Sequence, residues 1–238
     1  MYRQSWDTLA YSNYTLKQWH PKQQEVLDRI KERNTIDDED AKTDTQRFLY
    51  VKGRPGSGKT AVLIEGAVRA AKDGLTVLIV CPTGALVCSL KEWLPEFEGV
   101  ERIHVDTIHS VLKYKRDRDN KVEFVPPSGF RKYEVVFCDE GSQYDDLEWQ
   151  RLFQTVKEQP HLPYVMVVAD FQQLRPMSDG SMCMKFCERM ETIELVTSYR
   201  STCEEHLLFL NRIREVQPDR QTLAKYFQDR HWDDDDPE

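Results

Sequence analysis

Gly53, Gly58, Lys59 and Thr60 stand at the spacing G-x-x-x-x-G-K-[ST] within YVKGRPGSGKT, residues 50–60. The chemistry open to such a stretch is anion binding. Glycines let the backbone curl until several N–H groups face one point, and the first turn of a following helix adds its own unsatisfied donors. Lys59 extends this cradle toward the terminal phosphates of a nucleoside triphosphate, and the Thr60 hydroxyl is a fitting ligand for magnesium. Pro55, Gly56 and Ser57 complete the loop. A plain glycine turn is the competing reading, and context argues against it. The strand-like run FLYV precedes the motif and a helical pattern follows from Thr60, the setting that a phosphate loop requires.

A second constellation lies in VVFCDEGSQ, which puts Asp139 and Glu140 just past a run of apolar β-formers. Adjacent acids at that place divide the labour. Asp139 holds the magnesium through a water, while Glu140 orients and deprotonates an attacking water, so hydrolysis rather than binding alone is indicated. On a surface loop the same pair would be unremarkable; its position after a buried strand, downstream of a phosphate loop, gives it meaning.

Such groups need a scaffold that brings strand ends together. Apolar segments FLYV (48–51), LTVLIVC (75–81), YEVVFC (133–138) and PYVMVVA (163–169) alternate with helical patterns from Thr60, from about Ala85 and in DLEWQRLFQTV. Runs apolar throughout are strands buried on both faces, and strands joined by helices make an open, mostly parallel α/β sheet. Ligands bind such sheets at the carboxyl ends of the strands, where every segment above terminates.

Composition sets the bounds. At 238 residues, 39% hydrophobic and 31% charged, the chain suits one sizeable core. No apolar run approaches the roughly 20 residues of a membrane-spanning helix, so no membrane partner is expected. MYRQSWDTLAYSNYT lacks the features of a secretory signal. An intracellular address, nuclear or cytoplasmic, is expected, with mitochondria left open. Six scattered cysteines fit reduced, buried thiols better than a disulfide frame. Cys183, Cys187, Cys203 and His206 imitate a zinc site only loosely. The net charge of −8 looks wrong for a nucleic-acid binder. Yet nine of the 41 acids lie in two runs, Asp37 to Asp40 and Asp233 to Asp236 with Glu238, and the remaining 32 are balanced by 33 lysines and arginines. Such runs read as a solvated loop and a floppy terminus, so global charge says little about a binding face.

The joint pattern resembles superfamily 1 helicases, and within them the Pif/RecD class of DNA helicases, including relatives in Helitron-type elements. WHPKQQEVLDRI resembles the adenine-reading Q motif, VLIVCPTGALV the "APTG" segment, and VDTIHSVL the "TxHs" segment. ADFQQLRPM resembles "GDxxQLxPV", and ELVTSYRS the motif with an ATP-facing arginine. With the phosphate loop and DEGSQ these cover residues 20–200 in the family's order. The resemblance implies a RecA-like P-loop NTPase domain and an ATP- and magnesium-dependent motor on single-stranded DNA, with RNA a lesser candidate and 5'-to-3' movement. By position, Gln23 reads adenine, with Gln24 as its competitor; Gln173 senses the γ-phosphate; Arg200 contacts it from the domain boundary; and Thr83, Thr107 and His109 lie toward the DNA backbone. His109 taken alone reads more often as a packed or solvent-facing histidine, and only its place in T-I-H-S brings the DNA reading level with that; Phe171 reads equally as a core ring.

The implied organisation is an N-terminal helix with the Q motif and an acidic loop (1–46), the ATPase domain (47–200), closing helices (201–230) and an acidic tail (231–238). A small wedge-like insertion falls at about 113–130. Its KYKRDRDNKVEFV reads either as a basic, aromatic DNA-contacting element or as a solvated hairpin balanced by Asp117, Asp119 and Glu123. Ala169, Gln143 and Arg175 depart from the class pattern without removing a catalytic group. The expectation is a first motor lobe whose second RecA-like domain, with its arginine finger, lies elsewhere or on a partner chain, so that hydrolysis by this chain alone is weak. A nucleotide switch that binds nucleic acid or regulates a partner without unwinding is the alternative. A role in replication, recombination or transposition leaves no local mark.

Overall fold

The computed structural model describes residues 19–32, 47–113, 124, 126–173, 176, 181–199, 203–216 and 218–228. The chain divides into two compact units, residues 1–197 and 198–238. In the first, six strands form one sheet: β1 (Phe48–Gly53), β2 (Val77–Cys81), β3 (Ile103–Thr107), β4 (Val135–Cys138), β5 (Tyr164–Ala169) and β6 (Glu191–Leu195). Their order is β3-β2-β4-β5-β1-β6, and every pairing is parallel. The four strands read from the sequence are the four central ones. β2, β4 and β5 are buried at every position, the pattern of strands covered on both faces. The two edges, β3 (IHVDT) and β6 (ETIEL), alternate or carry acids, so they lack the continuous apolar run that marks the others.

Among the described residues of this unit, six α-helices flank the sheet. They are α1 (Pro21–Glu32), α2 (Lys59–Lys72), α3 (Gly84–Trp93), α4 (Ile108–Val111), α5 (Asp146–Lys157) and α6 (Ser181–Cys187). Strand residues alternate between two cores. Val77, Ile79, Val135 and Phe137 meet α1, α2 and α3 on one side; Leu78, Val80, Val136 and Cys138 meet α4, α5 and α6 on the other. Val26, Leu27 and Ile30 of α1 form one buried stripe at helical spacing. Gly66 of α2 lets α1 approach closely, since a Cβ there would lie 2.6 Å from Ile30 Cδ1. Arg29 of α1 also pairs with Glu191 of β6 at 2.6 Å. These contacts fix the helix that carries Gln23.

The second unit contains α7 (Glu204–Glu215) and α8 (Arg220–Gln228). Asp219 caps α8 by accepting from the Thr222 N–H at 2.6 Å, and Phe209 stacks on Tyr226. Among the described residues no helix is long and apolar enough to cross a membrane. The acidic runs, Arg200 and all of KYKRDRDNKVEFV except Lys113 and Phe124 fall outside the described residues.

Candidate active site

The phosphate loop joins β1 to α2. Gly56 and Gly58 have φ of 74° and 80°, a left-handed backbone that costs an L residue roughly 1–2 kcal/mol. Gly53 is needed for space, because a Cβ there would meet Ser57 Oγ at 2.5 Å. Pro55 lies within the turn that these glycines shape. Lys59 is the first residue of α2 and is almost wholly buried. Its Nζ donates to the carbonyls of Gly53 at 2.9 Å and Arg54 at 3.1 Å, so the ammonium is held over the loop it would serve.

Asp139 follows β4, separated from β1 by β5 alone. Folding nevertheless closes the gap. Thr60 Oγ1 donates to Asp139 Oδ2 at 3.4 Å across 79 residues of sequence. Asp139 is fully buried, and burial pushes its carboxyl up to about 7. The Glu140 charge adds to that rise, while the Glu140 N–H, Lys59 and Thr60 oppose it. Glu140 itself has φ 47°, ψ 42°, a left-handed conformation uncommon outside glycine, and its N–H donates to Asp139 Oδ1 at 3.0 Å. The buried Glu140 Oε2 has no hydrogen-bond partner among the described residues. Two hard oxygen donors in contact beside an unpartnered carboxylate oxygen suit a hydrated magnesium ion, which keeps several waters and takes few protein ligands. The donor set therefore fits the cation expected from the sequence.

Gln23, not Gln24, faces the loop. Its Nε2 donates to the Ser57 carbonyl at 3.2 Å, and its Oε1 accepts from the His20 N–H at 3.1 Å, half of a capping box at the head of α1. Gln24 instead pairs with Asp28 on the exposed face. A Cβ on Gly58 would lie 2.6 Å from Gln23 Nε2, so that glycine is required by conformation and by its neighbour.

Gln173 stands past the end of β5, between the loop strand and the acid strand. Its Nε2 donates to Asp170 Oδ2 at 2.8 Å, and Asp170 Oδ1 accepts the Gln172 N–H at 3.2 Å. Asp170, 1% exposed, escaped the sequence reading. Its signal was available, an acid directly after an apolar strand, as with Asp139. Also missed were the residues that hold the acid turn. Tyr144 Oη donates to the carbonyls of Val80 at 2.7 Å and Asp139 at 3.2 Å, and Trp149 Nε1 donates to the Gly141 carbonyl at 3.1 Å.

Thr107 ends β3, opposite Cys81 in the β2–β3 register, and Thr83 lies two residues past the end of β2. Both are helix caps: Thr83 Oγ1 accepts from the Leu86 N–H and Thr107 Oγ1 from the Ser110 N–H, each at 3.3 Å. His109 is half exposed and its Nε2 lies 3.0 Å from Glu148 Oε1. Phe171 packs against the core, its ring 5.9 Å from that of Tyr50. Among the described residues no three His, Cys, Asp or Glu side chains converge as a metal cluster. Cys183 and Cys187 are buried with sulfurs 3.9 Å apart, and Cys203 is exposed.

Sequence comparison matches the AAA domain family to residues 39–232. The chain belongs to that family. It is similar to the ATP-dependent RecD2 DNA helicase of Deinococcus radiodurans, with 27% identity over 164 residues, 68% of this chain and 21% of that protein. In fold it is similar to the Pif1 helicase from Candida albicans, with a TM-score of 0.63 at 17% identity over 90% of this chain and 48% of the other. Unliganded Pif1 from Bacteroides sp gives a TM-score of 0.55 at 19% identity over 87% of this chain and 48% of that one. The chain thus spans about half the length of these two structures and about a fifth of RecD2. The resemblance to the Pif/RecD class of superfamily 1 is borne out by the family match and the RecD2 similarity, and the two Pif1 structures share the fold. The α/β parallel sheet expected from the strand runs is borne out with it.

Proposed function

We propose that this chain is the ATP-binding lobe of a DNA helicase, binding and hydrolysing ATP with magnesium to drive movement on single-stranded DNA, in the 5'-to-3' direction. The observation that carries the reading is the Thr60–Asp139 contact, which joins the phosphate loop to the acid turn at one point. In this mechanism Lys59 exchanges the Gly53 and Arg54 carbonyls for phosphate oxygens, and the loop N–H groups and the head of α2 hold the same anion. Thr60 and Asp139 would hold the magnesium ion, which when bound neutralises charge on the phosphates. Glu140 takes a proton from the attacking water with its unpartnered oxygen. Gln173, held by Asp170, senses the terminal phosphate. Thr83 and Thr107, at the carboxyl-end side of β2 and β3, face the nucleic acid.

An arginine delivered by a second lobe or partner chain contributes roughly 10³–10⁵ in rate, so turnover should rise when such a lobe is supplied. The test is ATP hydrolysis measured with and without an oligothymidylate, for the chain and for Lys59→Ala. Stimulation by the strand that Lys59→Ala lowers by about 100-fold or more supports the reading. Nucleotide binding with no turnover, even with a second lobe supplied, replaces the motor with a nucleotide switch.

A further inference from the structure

We infer that His109 and Glu148 are positioning residues which tie the strand-facing end of β3 to the catalytic acid turn, so that nucleic acid engaged there alters the nucleotide site. This rests on the proposed motor function and names the route by which one end of the site regulates the other.

The route runs through hydrogen bonds, one close His109–Glu148 contact and a single step of backbone. At its outer end, the turn carrying His109 is braced twice. Thr107 Oγ1 accepts from Ser110 N–H, and Asp106 accepts from Thr107 N–H at 2.8 Å and Ser110 Oγ at 2.7 Å. Ile108 of the same turn is buried in the core. The His109 ring therefore moves with the end of β3, and its Nε2 meets Glu148 Oε1 at 3.0 Å. Glu148 is much the more buried partner, at 12% side-chain exposure against 50% for His109. Its other oxygen is already committed. Oε2 accepts from the Asp145 N–H at 2.8 Å while the Glu148 N–H donates to Asp145 Oδ1 at 2.8 Å, a full capping box at the head of α5.

Asp145 ends the acid turn. From it the chain runs back through Tyr144, bonded to the Asp139 carbonyl, and Trp149 one residue past Glu148 holds the Gly141 carbonyl. Asp146, next in α5, accepts the Met182 N–H at 2.7 Å and so joins α6, downstream of the Asp170–Gln173 turn. A carboxylate with one oxygen on the cap and one on His109 cannot shift toward either without straining the other. Displacing β3 by a bound strand thus loads the segment that sets the unusual backbone of Glu140.

The experiment uses the full chain and a fluorescent ATP analogue with magnesium, titrated with and without saturating oligothymidylate. The expected coupling between strand and nucleotide affinity is about five-fold or more. His109→Leu, which removes the ring nitrogen, should collapse it, whereas His109→Gln, which keeps an N–H donor, should retain most of it. Amide hydrogen exchange of the strand-free, nucleotide-free chain gives the second readout: residues 139–149 should exchange faster in His109→Leu than in the unaltered chain. Unchanged exchange there overturns the inference whatever the nucleotide titrations give. So does intact coupling in His109→Leu, or a variant that only raises the strand concentration needed, which would make His109 a simple contact. If the unaltered chain binds no Mg-ATP, the motor reading fails instead, and the exchange measurement alone decides the link.

Discussion

The phosphate loop and the acid turn sit at carboxyl ends of the same sheet, yet they are held by opposite means. In residues 53–60 the shape resides in backbone conformation: two left-handed glycines, a third with no room for a Cβ, and a lysine turned onto loop carbonyls. In residues 139–145 the shape is imposed by side-chain bonds, with Trp149, Glu148 and the Tyr144 hydroxyl on the Val80 carbonyl fixing a turn that contains one strained glutamate. A backbone-coded site is compact in sequence. A site strapped by side chains depends on long-range packing, and its strain persists only because its surroundings over-determine it.

Electrostatics separates the two regions most, so the largest effect is expected at Asp139. With its folded pKa raised to about 7, the buried acid is comfortable when protonated. Its contribution to stability is fully present below about pH 4, the unfolded value, and is lost as pH rises through about 7. Asp139→Asn removes this dependence. The stability of the variant relative to the unaltered chain, measured by denaturant unfolding without nucleotide or magnesium, should rise between pH 4 and 8 by on the order of 4 kcal/mol. A flat difference would show that burial is not what strains this carboxyl.

Gly58→Ala tests the backbone-coded region. A left-handed alanine and a Cβ against Gln23 Nε2 should together cost about 2 kcal/mol of stability and abolish nucleotide binding, read by thermal unfolding and calorimetry with Mg-ATP. Retained binding would mean that the loop tolerates another shape. Tyr144→Phe sharpens the contrast at the other region with the smallest change. Losing the bond to the Val80 and Asp139 carbonyls should cost about 1 kcal/mol, since the Val80 carbonyl still accepts the Asp139 N–H. Hydrolysis should fall more than nucleotide binding, because the turn carries Glu140 while the loop is untouched.

The same contrast explains what could be read before folding. The phosphate loop was legible whole, since glycine spacing encodes its conformation directly. Asp139 and Glu140 were legible from the apolar run before them. Their supports were not, because Tyr144, Trp149 and Glu148 look like ordinary helix-flank residues until packing brings them under the turn. The choice between Gln23 and Gln24 had the same character: adjacent and identical, they differ only in which side of α1 is turned to the loop. Edge strands β3 and β6 escaped because one face or one end of each meets solvent, which breaks the apolar run.

By itself the sequence determined the α/β class, the four central strands and the glycine-shaped loop of residues 53–60. Each of these follows from periodicity or from local backbone freedom. Only the tertiary structure decided that Thr60 reaches Asp139, that Asp170 holds Gln173, and that Glu148 spans His109 and the acid turn. Such contacts join residues tens of positions apart, or place a side chain by burial, and they depend on strand order and register that no local spacing encodes.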